Sequence, residues 1–231
     1  MKIEHLFFDL DRTLWDFEKN SYEELSFLYS KYKLHEKGIS LPNEFIKIYK
    51  NINEKCWESY RKNQLTKEDL RVKRFHDTLL YFGIDDKSLA KHFGDDYVIN
   101  SPKRTHLISG TIDLLKTLKP HFNMHIITNG FEEVQHIKLK NSKLSDFFQV
   151  VVTSEAAGAK KPNPVAFEYS LEKTGAKLGN SIMIGDDLKT DIQGAIQIGM
   201  KCIYFNPNCK EHKYPVWKEV KKLSEIKNIL L

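Results

Sequence analysis

Short β-branched or aromatic runs recur along this chain, each ending in a polar or glycine turn, and their spacing limits the possible folds more than any other feature. The runs are Ile3 to Phe8, Met124 to Thr128, Val150 to Thr153, Ile182 to Ile184 and Cys202 to Phe205. From the second run onward, helix-period segments separate them: Phe131 to Lys140, Pro164 to Thr174 and Asp187 to Ile198, the last closed by Gly199. Strand and helix alternating at this spacing predict an α/β fold, a Rossmann-like parallel sheet covered by helices on both faces. In such sheets ligands bind at the carboxyl ends of the strands.

One interval interrupts the alternation. Between Leu14 and about Arg104 the pattern is helical throughout, with segments Phe17 to Tyr32, Pro42 to Arg61, Thr66 to Phe82 and Asp86 to Tyr97. Gly38 with Pro42, Asn63, and Gly83 with Asp85 break it. The expected division is therefore a catalytic core of residues 1–15 and 105–231, with an α-helical cap of residues 16–104 mounted at the sheet's carboxyl edge. Phe27, Tyr49, Trp57 and Phe75 recur at helical spacing, and most of them are expected in the core of that bundle rather than on a ligand.

Composition excludes several classes of function. With 41% hydrophobic and 29% charged residues among 231, the chain has the balance of a soluble globular protein. Its formal charge of +5 comes from 36 Lys and Arg against 31 Asp and Glu, both spread along the chain. This is too weak a surplus to indicate a nucleic-acid polymer as partner. Cys56, Cys202 and Cys209 form no C-x-x-C pair and suit neither a zinc site nor a disulfide framework. No signal-peptide pattern opens the sequence, and no stretch approaches the ~20 apolar residues needed to cross a bilayer. The expectation is a cytoplasmic enzyme with free thiols and no membrane partner; the sequence says nothing of oligomeric state.

Four short strings carry the chemistry, and each falls at the end of an expected strand. Asp9 and Asp11 follow the first run, and residues i and i+2 of an extended chain point the same way, so both carboxylates can face one site. Two adjacent carboxylates call for a cation between them or a shared proton. Thr128-Asn129-Gly130 offers a hydroxyl, then a glycine permitting close approach, at a helix N-terminus, which suits a phosphate. In Gly158-Ala159-Lys160-Lys161-Pro162, a lysine can neutralise charge in a transition state; the helix start is expected at Pro162 and Pro164. Gly185-Asp186-Asp187-Leu188-Lys189-Thr190-Asp191 is a second acidic cluster of the oxygen-donor kind that magnesium takes, with Asp187 expected to cap the following helix. Each string alone is equally well explained as a turn, a cap or a solvated loop. The G-x-x-x-x-G-K-[ST], G-x-G-x-x-G and G-x-S-x-G signatures do not occur.

Taken together, the strings resemble the four motifs of the haloacid-dehalogenase-like hydrolases. These are D-x-D-x-T at Asp9 to Thr13, the threonine at Thr128, Lys-Pro at Lys161 and Pro162, and G-D-x-x-x-x-D at Gly185 to Asp191. Thr13-Leu14-Trp15-Asp16-Phe17 and Asn206-Pro207 further resemble the subfamily of pyrimidine 5′-nucleotidases acting on non-standard nucleotides. The resemblance implies a phosphate monoesterase using Mg2+, with Asp9 as nucleophile and metal ligand. Asp11 would be the general acid and base, with its carbonyl on the metal. Thr128 and the backbone of Asn129 would bind the phosphoryl group, Lys161 would balance charge, Asp186 would bind magnesium and Asp191 would support it. Lys160 would be a bystander. The presence of Asp11 argues against a dehalogenase; a phosphomutase, or a sugar-phosphate or phosphoglycolate phosphatase, is the alternative. Trp15 and Phe17 follow the nucleophile loop, and either substrate contact or hinge packing would explain them.

Overall fold

A computed structural model of the protein describes residues 2–231. A six-stranded sheet, parallel throughout, has the order β3-β2-β1-β4-β5-β6. Its strands are β1 (His5–Phe8), β2 (Asn123–Thr128), β3 (Val150–Thr153), β4 (Ser181–Gly185), β5 (Lys201–Phe205) and β6 (Lys218–Val220). The helices between them are α5 (Thr111–Leu118), α6 (Glu132–Asn141), the single turn α7 (Ser154–Ala157), α8 (Pro164–Thr174) and α9 (Gln193–Gln197), with α10 (Ile226–Leu230) at the C-terminus. The fold is thus a Rossmann-like α/β sheet, and the strand order reverses direction between β1 and β4, where ligands collect in sheets of this kind.

Successive β1 side chains go to opposite faces, as a pleated strand requires. Leu6 and Phe8 pack with Leu114, Leu115 and Leu118 of α5, Leu139 of α6 and Ile226 of α10. Phe7 goes to the other face, with Ala166 and Phe167 of α8, Ala195 of α9 and the β-strand residues Met183 and Tyr204. Both faces being covered explains why these strands read as continuous apolar runs rather than alternating ones.

The chain divides into two compact units, one of the N-terminal segment to Phe17 with Thr105–Leu231, the other Glu18–Arg104. The second is built from α1 (Phe17–Lys31), α2 (Pro42–Arg61), α3 (Lys67–Tyr81) and α4 (Lys87–Asn100). Their starts are set locally. Pro42 stands in the first turn of α2, Thr66 and Asp69 form a reciprocal capping box on α3, and the Asp86 carboxylate accepts from the Leu89 amide at 2.8 Å on α4. The core of this unit holds Leu25, Leu28, Phe45, Tyr49, Phe75, Phe93 and Tyr97.

Some sequence expectations need correction here. Phe27 is 55% exposed on α1 and Trp57 is half-buried, so only Tyr49 and Phe75 of the four aromatics are fully buried in the bundle. Trp15 is wholly buried in the sheet core, which favours its packing role over substrate contact. Helix α8 begins at Pro164; Pro162 lies before it, in a turn. The segment expected as one helix from Asp187 opens instead with a π-helical turn, Leu188–Ile192, before α9. β6, which the sequence reading did not include, pairs along the outer side of β5.

Candidate active site

The strand ends fix the first aspartate. The Asp9 amide donates to the Ile184 carbonyl at 2.9 Å, continuing the β1–β4 pairing by one residue and setting Asp9 beside Gly185 and Asp186. The Thr13 hydroxyl, fully buried, lies 3.0 Å from Asp186 Oδ1 and 3.4 Å from Asp9 Oδ2. Having one hydrogen, it donates to the nearer oxygen. Gly185 is required by the opposite side of this cluster, since a Cβ there would stand 2.2 Å from Asp191 Oδ2. The π-helical turn carries Asp191 inward, and its Oδ2 accepts from the Asp187 amide at 3.1 Å. Asp187 caps the turn by accepting from the Lys189 and Thr190 amides, as its position in the sequence suggests.

Lys161 is the cation among these carboxylates. Its ammonium group donates to Asp9 Oδ1 at 2.7 Å, Asp191 Oδ1 at 2.6 Å and the Ile127 carbonyl at 2.6 Å. All three hydrogens are used, and the side chain is 2% exposed. Asn129 explains how a loop lysine is held so firmly. Its side chain donates to the Lys161 carbonyl at 2.9 Å and accepts from the Lys161 amide at 2.8 Å, tying the end of β2 to the lysine loop. Sequence reasoning gave Asn129 a backbone role and missed this latch. Thr128, also buried, accepts from the Gly130 amide at 3.1 Å; its own hydroxyl hydrogen has no acceptor among the described residues.

Charge in this cluster does not balance. Asp9, Asp186 and Asp191 each present an oxygen within 4.8 Å of the others; Lys161 is bonded to two of them, and the positive charge of Arg12 acts on Asp186. Burial opposes ionisation of Asp186, and Asp9 and Asp191 add repulsion, so its carboxyl is held well above the usual range. Asp9 is raised by burial despite the nearby Lys161. Asp191 is raised by burial to about 7, with Lys161 pulling the other way. Burial would lower Lys161, but Asp191 and Asp9 outweigh it and keep the ammonium protonated. Oxygen donors with a surplus of negative charge are what a hard divalent cation needs, so the residues present fit magnesium.

Asp11 does not join the three carboxylates. Lys138 of α6 donates to both its oxygens, at 2.6 and 2.8 Å, and Gln135 Nε2 lies 3.2 Å from Oδ2. Neither partner belonged to any motif; they stand 127 and 124 residues from Asp11 in sequence.

The haloacid dehalogenase-like hydrolase profile matches residues 6–205. The HAD-hydrolase YfnB of Bacillus subtilis is 30% identical over 97% of this chain and 94% of its own. Its crystal structure, described as bound to magnesium and as revealing interdomain movement, superposes with a TM-score of 0.89 at 28% identity, covering 100% of this chain and 99% of that one. Pyrimidine 5′-nucleotidase YjjG of Escherichia coli is 28% identical over 100% of this chain and 99% of its own. For pyrimidine 5′-nucleotidase PynA of Streptococcus pneumoniae the figures are 29%, 90% and 85%. With a profile match that runs from β1 to the end of β5 and a relative aligned over nearly its whole length, the chain belongs to the haloacid dehalogenase-like hydrolases.

Proposed function

We propose that this enzyme is a magnesium-dependent phosphatase acting through a phosphorylated Asp9, with pyrimidine nucleoside 5′-monophosphates as its substrates. The observation that carries the chemistry is the Lys161 ammonium shared between Asp9 and Asp191 beside a third carboxylate, Asp186. The substrate class is supported by similarity to two relatives named as pyrimidine 5′-nucleotidases.

In this reading Asp9 attacks phosphorus through the oxygen not bound to Lys161, and the ester oxygen departs as the phospho-aspartate forms. Thr128 donates its free hydroxyl hydrogen to a phosphoryl oxygen, and the amide of Asn129 serves another. Lys161 holds Asp9 in place and offsets the charge of its neighbours. Asp11 protonates the departing oxygen and then takes a proton from the water that cleaves the acyl phosphate. Asp9, Asp186 and the Asp11 carbonyl would hold the magnesium, which supplies charge neutralisation for the phosphoryl oxygens when bound. Asp191 supports this set by fixing Lys161.

The test is kcat/KM at one magnesium concentration for dUMP, UMP and dTMP against purine nucleotides, sugar phosphates and phosphoglycolate. Pyrimidine nucleotides should lead by about tenfold or more, which ~1.4 kcal/mol of differential contact supplies. Asp9→Asn should remove turnover in every case. Sugar phosphates ahead of all nucleotides would refute the substrate class; activity in folded Asp9→Asn would refute the mechanism.

A further inference from the structure

Asp11 is held by an apparatus that none of the four motifs contains. The Lys138 side chain is 5% exposed, and its ammonium sits between the Asp11 carboxylate and the Trp15 indole, 4.4 Å from the ring centroid. A carboxylate on one side and an aromatic face on the other replace the water a lysine normally keeps. Trp15 is itself fully buried, and its carbonyl accepts from the Arg12 amide at 2.9 Å, closing the loop that carries Asp11. Gln135, one helical turn before Lys138, supplies the third contact. It reaches Asp11 only because residue 130 is a glycine: a Cβ there would fall 1.6 Å from Gln135 Nε2. Gly130 therefore makes room for a side chain, whereas the sequence suggested room for a phosphate.

We propose that Lys138 is a positioning residue for Asp11, and that Gln135 assists it, so that the α6 pair Gln135–Lys138 sets the direction in which the Asp11 carboxyl group meets the leaving oxygen as it delivers its proton. The proposal rests on the acid-and-base role of Asp11 given above. An aspartate at the tip of a loop has two freely rotating bonds, and a carboxylate displaced by about 1 Å can lose a hundredfold in rate. A dehydrated ammonium bound to both oxygens removes that freedom. Lys138 makes no hydrogen bond or ion pair with Asp9, Asp186, Asp191 or Lys161, so its influence on turnover runs through Asp11.

The experiment is single-turnover phosphoryl transfer with magnesium present, for an alkyl phosphate (poor leaving group) and p-nitrophenyl phosphate (good leaving group). Four proteins are compared: the unaltered enzyme, Lys138→Met, Asp11→Asn and the double variant. Lys138→Met should slow the alkyl ester by about 10- to 100-fold, with KM within about twofold and a much smaller loss for the nitrophenyl ester. The double variant should be no slower than Asp11→Asn alone, because the two changes disable one function. Gln135→Met keeps the ion pair and should give the same pattern at lower amplitude, which covers the case of a Lys138→Met protein that does not fold. Losses that multiply in the double variant, or equal losses for both esters, would overturn the positioning role while Asp11→Asn kept its own leaving-group dependence. If Asp11→Asn showed no such dependence, the acid role would fall and this proposal with it.

Discussion

Two buried cations, one in each unit of the molecule, are compensated in opposite ways. Lys161, at the carboxyl ends of the strands, is bonded to two carboxylates and stands beside a third, Asp186, on which Arg12 also acts. Arg74, in the helical unit, is 3% exposed and forms no ion pair among the described residues. Its Nη1 donates to Asn53 Oδ1 at 3.1 Å, its Nε has no partner, and its Cζ lies 5.0 Å from the Phe75 ring and 5.1 Å from the Tyr97 ring. Aromatic faces and one neutral acceptor thus do for Arg74 what carboxylates do for Lys161. Burial of charge therefore does not by itself mark a reaction centre. What distinguishes the sheet edge is an uncancelled sign, which an added ion can cancel.

The comparison breaks most sharply if Lys161 proves dispensable for stability. Lys161→Met leaves Asp9 and Asp191 buried without their cation, and breaking such pairs costs about 3–5 kcal/mol. Denaturant unfolding at pH 7 should show that loss, and a midpoint near that of the unaltered protein would contradict it.

At the other end of the same sheet, His125 supplies a buried group whose neutral form is favoured. It is 1% exposed, stacked on His5, and burial, then the neighbouring His5, lowers its pKa to about 4. The unfolded chain takes up this proton near pH 6.5 and the folded chain only near 4. The stabilising contribution is therefore whole above pH 6.5 and is lost as pH falls toward 4. Relative to His125→Gln, the unaltered protein should lose several degrees of Tm between pH 7 and pH 5; a constant difference would disprove the shift.

Asp186→Asn sharpens the claim of surplus charge. It keeps an oxygen for Thr13 and removes a buried carboxyl whose ionisation its surroundings oppose, so the metal-free protein should gain a few degrees of Tm while losing activity. Added magnesium should raise the Tm of the unaltered protein and leave the variant's unchanged. The smallest effect belongs to Arg74→Met. With no carboxylate left stranded, its unfolding free energy should change by no more than about 1 kcal/mol; a loss near that of Lys161→Met would erase the contrast.

The two units differ also in how much of them the sequence reveals. Strand ends were legible because fully buried parallel strands read as unbroken apolar runs, and the polar residue that ends each run is where chemistry gathers. β6 was not, since Lys218-Glu219-Val220 is a short, largely exposed edge whose partner alone makes it a strand. The four helices of the insert were legible to within a few residues from caps and breakers, yet Phe27 faces solvent, because helical spacing does not say which side is covered. Asp9 and Asp186 could be anticipated because each directly follows a strand, whereas Lys161 and Asp191 stand further along their loops and were marked by the resemblance of their strings. Lys138 and Gln135 could not, because their pairing with Asp11 exists only once β1 and β2 are adjacent.

That adjacency has a consequence for how the chain is assembled. β1 is a central strand, paired residue by residue with β2 and β4, from Phe8↔Ile126 and Phe8↔Ile184 back to His5. Both neighbours are synthesised only after the whole of Glu18–Arg104. As the chain leaves the ribosome, the helical unit is uninterrupted in sequence and can satisfy its own contacts, whereas Leu6, Phe7 and Phe8 have nothing to pair with. Asp9 is made before the helical unit, and Lys161, Asp186 and Asp191, which surround it, are made after that unit.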